Sequence, residues 1–167
     1  KEFWELEAQK AGGESSLANM APYISSKINA FVYNEFLRPI IGQKTSAINF
    51  RKAMDEKKIL IVKISKGQIG DLNSSLLGRV IVGKLLMGAL SRADIIASGQ
   101  DFSDFYLYMD EFHNFTTPSV ATILSEARKY KLCLTIAHQF IKQLKDEVRD
   151  AVFGNVGSMA VFRISPD

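Results

Sequence analysis

FYLYMDEFHNF, residues Phe105 to Phe115, is the stretch on which the fold turns. Phe105, Tyr106, Leu107, Tyr108 and Met109 are aromatic or large and apolar, and two acids, Asp110 and Glu111, follow at once. An apolar run without alternation reads as a strand covered on both faces, the kind a parallel sheet uses. Ligands of such sheets bind beyond the C-terminal ends of the strands. Two carboxylates at that end have the shape of a Walker B strand, the first acid holding Mg²⁺ through water and the second orienting an attacking water. An ordinary buried strand followed by solvated charges fits the bare pattern equally well, so the surroundings decide.

Working outward, the chain after Lys58 alternates strand and helix signals. ILIVKI, Ile59 to Ile64, is short and β-branched and predicts a strand. Leu76 to Leu90 predicts an apolar helix of about four turns, and Gly99 to Ser103 a turn. The acidic strand comes next, and Pro118 opens a helix expected to run to Tyr130. Leu132 to Ala137 predicts a second strand, with His138 and Gln139 at its C-terminal end. Phe140 to Phe153 reads as helical with a break near Asp146, and Ser158 to Ile164 as a last strand. This alternation predicts an α/β fold with a parallel sheet flanked by helices.

The first fifty-seven residues read as a helical segment set against a core at residues 58–167. Phe3 to Lys10 predicts a short helix ended by Gly12 and Gly13. From Leu17 to Leu37 the residues Met20, Ile24, Ile28, Phe31, Val32 and Phe36 follow helical spacing, a stripe expected to pack in the core. Pro39 and Gly42 close that helix, and Asn49 is placed to cap a short one, Phe50 to Asp55.

Composition permits this and excludes little. The chain has 167 residues, 47% hydrophobic and 23% charged, enough for a soluble domain with a core. A net charge of +3 allows nucleic-acid contact without arguing for it. Cys133 stands alone and reads as a reduced core thiol. Arg79 and Lys84 interrupt the longest apolar run, which leaves no uncharged stretch of membrane-spanning length.

Parallel strands bring their C-terminal ends to one edge, so Gln139 is expected beside Asp110 and Glu111. A neutral donor there can contact a γ-phosphate or the attacking water; capping the following helix is the plainer role. Arg128 ends the crossover helix, where a cation complements the macrodipole. That end lies at the opposite edge from Asp110, so an arginine-finger role would serve a neighbouring subunit.

ILIVKISKG, LLGRVIVGKLLMGALSRAD, FYLYMDEFHNF, ILSEARKYKL and TIAHQF together resemble the conjugative DNA-transfer ATPases, the type IV secretion coupling proteins of the FtsK–HerA superfamily. The resemblance runs in order from about Asn49 onward. It implies a partial RecA-like P-loop NTPase fold and an ATP-driven motor that moves DNA. It also implies ATP and Mg²⁺ as cofactors. Asp110 then matches the metal-holding acid and Glu111 the catalytic acid. Gln139 becomes the sensor, and Arg128 the arginine acting between subunits. The family implies a homo-hexamer on the cytoplasmic face of the bacterial inner membrane, with DNA and other secretion-system components as partners.

One family element is missing. No GxxxxGK[ST] loop occurs in the 167 residues: Ser65 to Gly70 has the wrong spacing, Gly83-Lys84 is followed by Leu85, and Gly42-Gln43-Lys44-Thr45 lacks the upstream glycine. A fragment is expected, inactive alone, whose phosphate loop lies upstream. Without the neighbouring strand of such a loop, Leu132 to Ala137 is expected to have an unpaired edge, filled either by direct pairing with Ser158 to Ile164 or by contact with another chain. Two other classes stay open: a metal-dependent nuclease using Asp110, Glu111, His113 and His138 with Mn²⁺ or Mg²⁺, and a non-catalytic interaction domain of the same fold.

Overall fold

The computed structural model describes residues 20–26, 28–29, 31–117, 120 and 124–162. Two compact units make up the chain, residues 1–46 with 65–73, and residues 47–64 with 74–167.

In the first unit, residues 20–26, 28–29 and 31–32 are helical. A separate short helix, α1 (Arg38–Ile41), carries Pro39 in its first turn, where the missing N–H costs nothing. A further turn of helix, α3 (Lys66–Ile69), ends at Gly70, whose φ of +79° favours glycine. Among the described residues of this unit only Leu37 and Ile69 are buried. The stripe expected to pack in a core is instead exposed at Met20, Ile24, Ile28, Val32 and Phe36. Helical spacing marks a face that is apolar; it does not supply the element that covers it. The helix expected at Phe3 to Lys10 lies outside the described residues.

The second unit holds the core. Helix α2 (Phe50–Asp55) starts as the sequence predicts: Asn49 accepts the Lys52 N–H through its side chain at 2.9 Å. Helix α4 (Asp71–Leu90) is longer than expected and begins on an acid that suits its positive end. It buries Ser74, Gly78, Val82, Leu85 and Ala89, a stripe at steps of three and four. Helix α5 (Ala93–Ala97) leads through a turn at Gly99 to strand β1 (Phe105–Met109).

Strand β2 (Leu132–Ile136) pairs with β1 in parallel, from Phe105 opposite Leu132 to Met109 opposite Ile136. Helix α6 (Asp146–Asn155) follows a single 3₁₀ turn, Ile141–Gln143, so the break near Asp146 is present. Val82, Leu85 and Ala89 of α4, Met54 of α2, Met109 and Leu132 of the strands, and Val148 and Val152 of α6 form one cluster. The molecule is thus mixed helix with a small parallel sheet. No helix of the described residues is long and apolar enough to cross a membrane.

Three expectations need correction. β1 is not covered on both faces: Phe105, Leu107 and Met109 face the core side, while Tyr106 and Tyr108 are exposed. Residues 59–64 form no strand, and Ile59 and Ile61 are 91% and 88% exposed. Residues 158–162 form none either, and 163–164 lie outside the described residues. A β-branched segment becomes a strand only against a partner ladder, and among the described residues neither segment has one. Of the crossover helix, Val120 and residues 124–126 are helical, and Ala127–Tyr130 is a 3₁₀ turn. Among the described residues β2 pairs with β1 alone, so its other edge is open.

Candidate functional site

The pairing of β1 and β2 continues past both strand ends. Ala137 N–H donates to the Met109 carbonyl at 2.9 Å, and Phe112 N–H donates back to the Ala137 carbonyl at 3.0 Å. Asp110 and Glu111 are therefore pinned beside the residues that follow β2. Between them the backbone turns sharply: Glu111 sits at φ 48°, ψ 45°, the left-handed region that a side chain rarely adopts. Such a residue costs about 1–2 kcal/mol and persists where its surroundings hold it.

Here the surroundings are specific. Glu111 N–H donates to Asp110 Oδ1 at 2.8 Å. The Glu111 carbonyl accepts from Asn114, through the backbone N–H at 3.0 Å and the carboxamide at 3.1 Å. A 3₁₀ turn, Phe112–Phe115, follows immediately and buries Phe112 as an anchor. The Glu111 carboxylate meets two side chains. Gln139 Nε2 donates to its Oε1 at 2.9 Å, across 28 residues of sequence. His113 Nδ1 lies 3.4 Å from its Oε2, buried and without a hydrogen-bond partner.

Asp110, Glu111 and Gln139 thus gather at one edge of the sheet. Arg128 does not: it is exposed in the turn that precedes β2, at the other end. Five residues of parallel strand at ~3.3 Å each separate the two edges by roughly 16 Å.

Asp110 is exposed, and among the described residues its second oxygen has no protein partner. One hard oxygen in open solvent suits Mg²⁺, which keeps several waters and takes its other ligands from phosphates. Those residues fit a metal held mainly by water. The 167-residue sequence carries no GxxxxGK[ST] loop to cradle phosphates beside them. Among the described residues no three His, Cys, Asp or Glu side chains gather to hold a metal. Asp110, Glu111, His113 and His138 therefore do not make the cluster that the nuclease reading requires.

The far edge of the sheet is structural. Arg92 is fully buried; its Nε donates to Asp55 Oδ1 at 3.0 Å, and its Nη1 reaches the carbonyls of Ser103 and Tyr130 at 3.3 and 3.2 Å. Its guanidinium lies 5.2 Å from the Phe102 ring centroid, and Lys131 Nζ approaches the same ring at 4.9 Å. Ser103 precedes β1 and Tyr130 precedes β2, so one cation ties the starts of both strands. The sequence carries no signal for this, because an arginine after a helix reads as surface. Nor does it signal the left-handed turn at Glu111. Cys133 lies half-buried on the open sheet face rather than in the core, and burial pushes its thiol up, with Asp104 adding to the effect.

Comparison with curated proteins and with solved structures gave no match. Residues 104–166, the stretch that holds both strands, the acid pair and Gln139, match a family model described as the TraM recognition site of TraD and TraG, which fits the resemblance to the C-terminal region of conjugative coupling proteins.

Proposed function

We propose that this chain is part of the RecA-like motor of a conjugative, type IV secretion coupling ATPase. In this reading Asp110 holds Mg²⁺ through water and Glu111 accepts a proton from the attacking water. Gln139 senses the γ-phosphate, and Arg128 serves the site of a neighbouring subunit in a homo-hexamer. A longer polypeptide supplies the phosphate loop and the attachment to the inner face of the bacterial membrane. DNA is the moved substrate, and a TraM-type protein is among the partners.

The observation that carries the reading is the Gln139–Glu111 hydrogen bond at the C-terminal ends of two parallel strands. It places a neutral donor on the second acid of an Asp-Glu pair, at the edge where ligands of such sheets bind. The family match over residues 104–166 supports the conjugative setting.

Phosphate release tests it. The 167-residue chain should hydrolyse ATP no faster than buffer with Mg²⁺, because its sequence carries no GxxxxGK[ST] loop to cradle the β- and γ-phosphates. In a polypeptide that carries the loop, Glu111→Gln should abolish turnover and spare nucleotide binding. Mixing that variant with an inactive Arg128→Ala should restore part of the activity. Full turnover by Glu111→Gln would end the assignment.

A second reading is favoured by the family description itself, which names a recognition site. A recognition domain without turnover would bind a TraM-type protein equally well with Asp110 and Glu111 both changed to alanine.

A further inference from the structure

We propose that His113 is a positioning residue for Glu111, its Nδ1–H serving as the second of two donors that hold one carboxylate. The inference rests on the reading of Glu111 as the water-orienting acid. Gln139 Nε2 already occupies Oε1 at 2.9 Å. On the other oxygen stands His113 Nδ1 at 3.4 Å, a buried nitrogen with no hydrogen-bond partner. Buried polar atoms are rarely left unpaired, and the carboxylate oxygen beside this one is an acceptor. Closing the gap by about half an ångström makes an ordinary N–H···O bond.

The local backbone makes this pairing possible. The left-handed turn at Glu111 and the 3₁₀ turn after it fold residue 113 back over residue 111, which an extended chain would set apart. Asn114 fastens that turn through the Glu111 carbonyl. The imidazole must then be the tautomer with its hydrogen on Nδ1, since a carboxylate only accepts. Two donors, one on each oxygen, fix the direction of the carboxylate. When Gln139 turns to another acceptor, His113 still holds Oε2, so Glu111 keeps its aim while its first oxygen is freed to take a proton.

The test reads the tautomer of His113 directly, by long-range ¹⁵N–¹H correlation on the 167-residue chain at a pH where the ring is neutral. Wild type should show a protonated Nδ1 and a bare Nε2. Glu111→Asn, which removes the nearby carboxylate and suits a left-handed residue, should reverse this toward the Nε2–H form. Gln139→Ala should leave the Nδ1–H form in place. A wild-type His113 already in the Nε2–H form, or a tautomer that ignores Glu111→Asn, overturns the proposal. Glu111→Gly provides the same comparison if Glu111→Asn fails to fold. Hydrolysis enters neither arm, so a paired His113 beside a catalytically idle Glu111 would count against the motor reading alone.

Discussion

Arg92 shows how much of this fold hangs on a single side chain. It is 0% exposed, carries a charge, and is held by one carboxylate, two carbonyls and an aromatic face. Breaking a buried ion pair from one side leaves the remaining groups desolvated and unpaired, at a cost of about 3–5 kcal/mol. Asp55 keeps some solvent and a second partner in Arg51, so the lower end applies. Arg92→Ala should therefore lose about 3 kcal/mol in urea unfolding. Arg92→Lys should recover little, because an ammonium cannot reach Asp55 and two carbonyls in the fork geometry of a guanidinium. A midpoint unchanged in Arg92→Ala would remove this residue from the account.

At the scale of elements, α4 meets the turn after β1 at Gly78. A Cβ built there falls on the Phe115 ring, well inside van der Waals contact with two ring carbons. A ring tucked beside the core cannot swing aside as the end of a long chain would. Gly78→Ala gains helix propensity, about 1 kcal/mol, and is expected to lose more to overpacking, for which about 1–3 kcal/mol is usual. Thermal unfolding should show a net loss, and the 3₁₀ turn that carries His113 should shift with it. Gly83→Ala, on the same helix with open space at its Cβ, should be stabilising.

The elements also show what was legible. β1, β2 and the Asn49 cap were readable because their signals are local: an apolar run, a turn, a side-chain acceptor three residues ahead of a donor. The meeting of Gln139 with Glu111 followed from parallel pairing alone. ILIVKI misled because β-propensity records how well a residue suits a paired surface, and among the described residues no strand pairs with 59–64. The apolar stripe from Met20 to Phe36 misled in the same way.

For the molecule as a whole, charge sets the response to acid and uncovered surface sets the state of association. Arg51 holds the Asp94 carboxyl below its usual range, and Lys131 does the same to Asp101. A carboxyl whose folded pKa is depressed stabilises the fold fully above its unfolded value and loses that contribution as pH falls through the folded one. Urea midpoints should thus hold from pH 7 to about pH 5 and decline below about pH 4. Lys131→Met should reduce that decline, and both pairs should weaken in salt, since they are solvent-facing. Association follows from what the second unit leaves bare. Ile61 and Phe162 are each 88% exposed, Tyr106 and Tyr108 project from the open sheet face, and Val80 and Met87 line the outer side of α4. Both edges of the two-stranded sheet are unpaired among the described residues. Monomeric proteins rarely show so much apolar surface, and open strand edges recruit other strands. The isolated chain should therefore self-associate as its concentration rises in sedimentation velocity. Ile61→Lys places a charge on the segment most able to act as a strand, which is how natural edges resist pairing. It should shift the distribution toward monomer while leaving the unfolding midpoint almost unchanged, because a side chain that touches water on nearly all sides has little packing to lose. A wild-type chain that stays monomeric throughout would mean that these apolar side chains are covered in solution by some part of the chain itself.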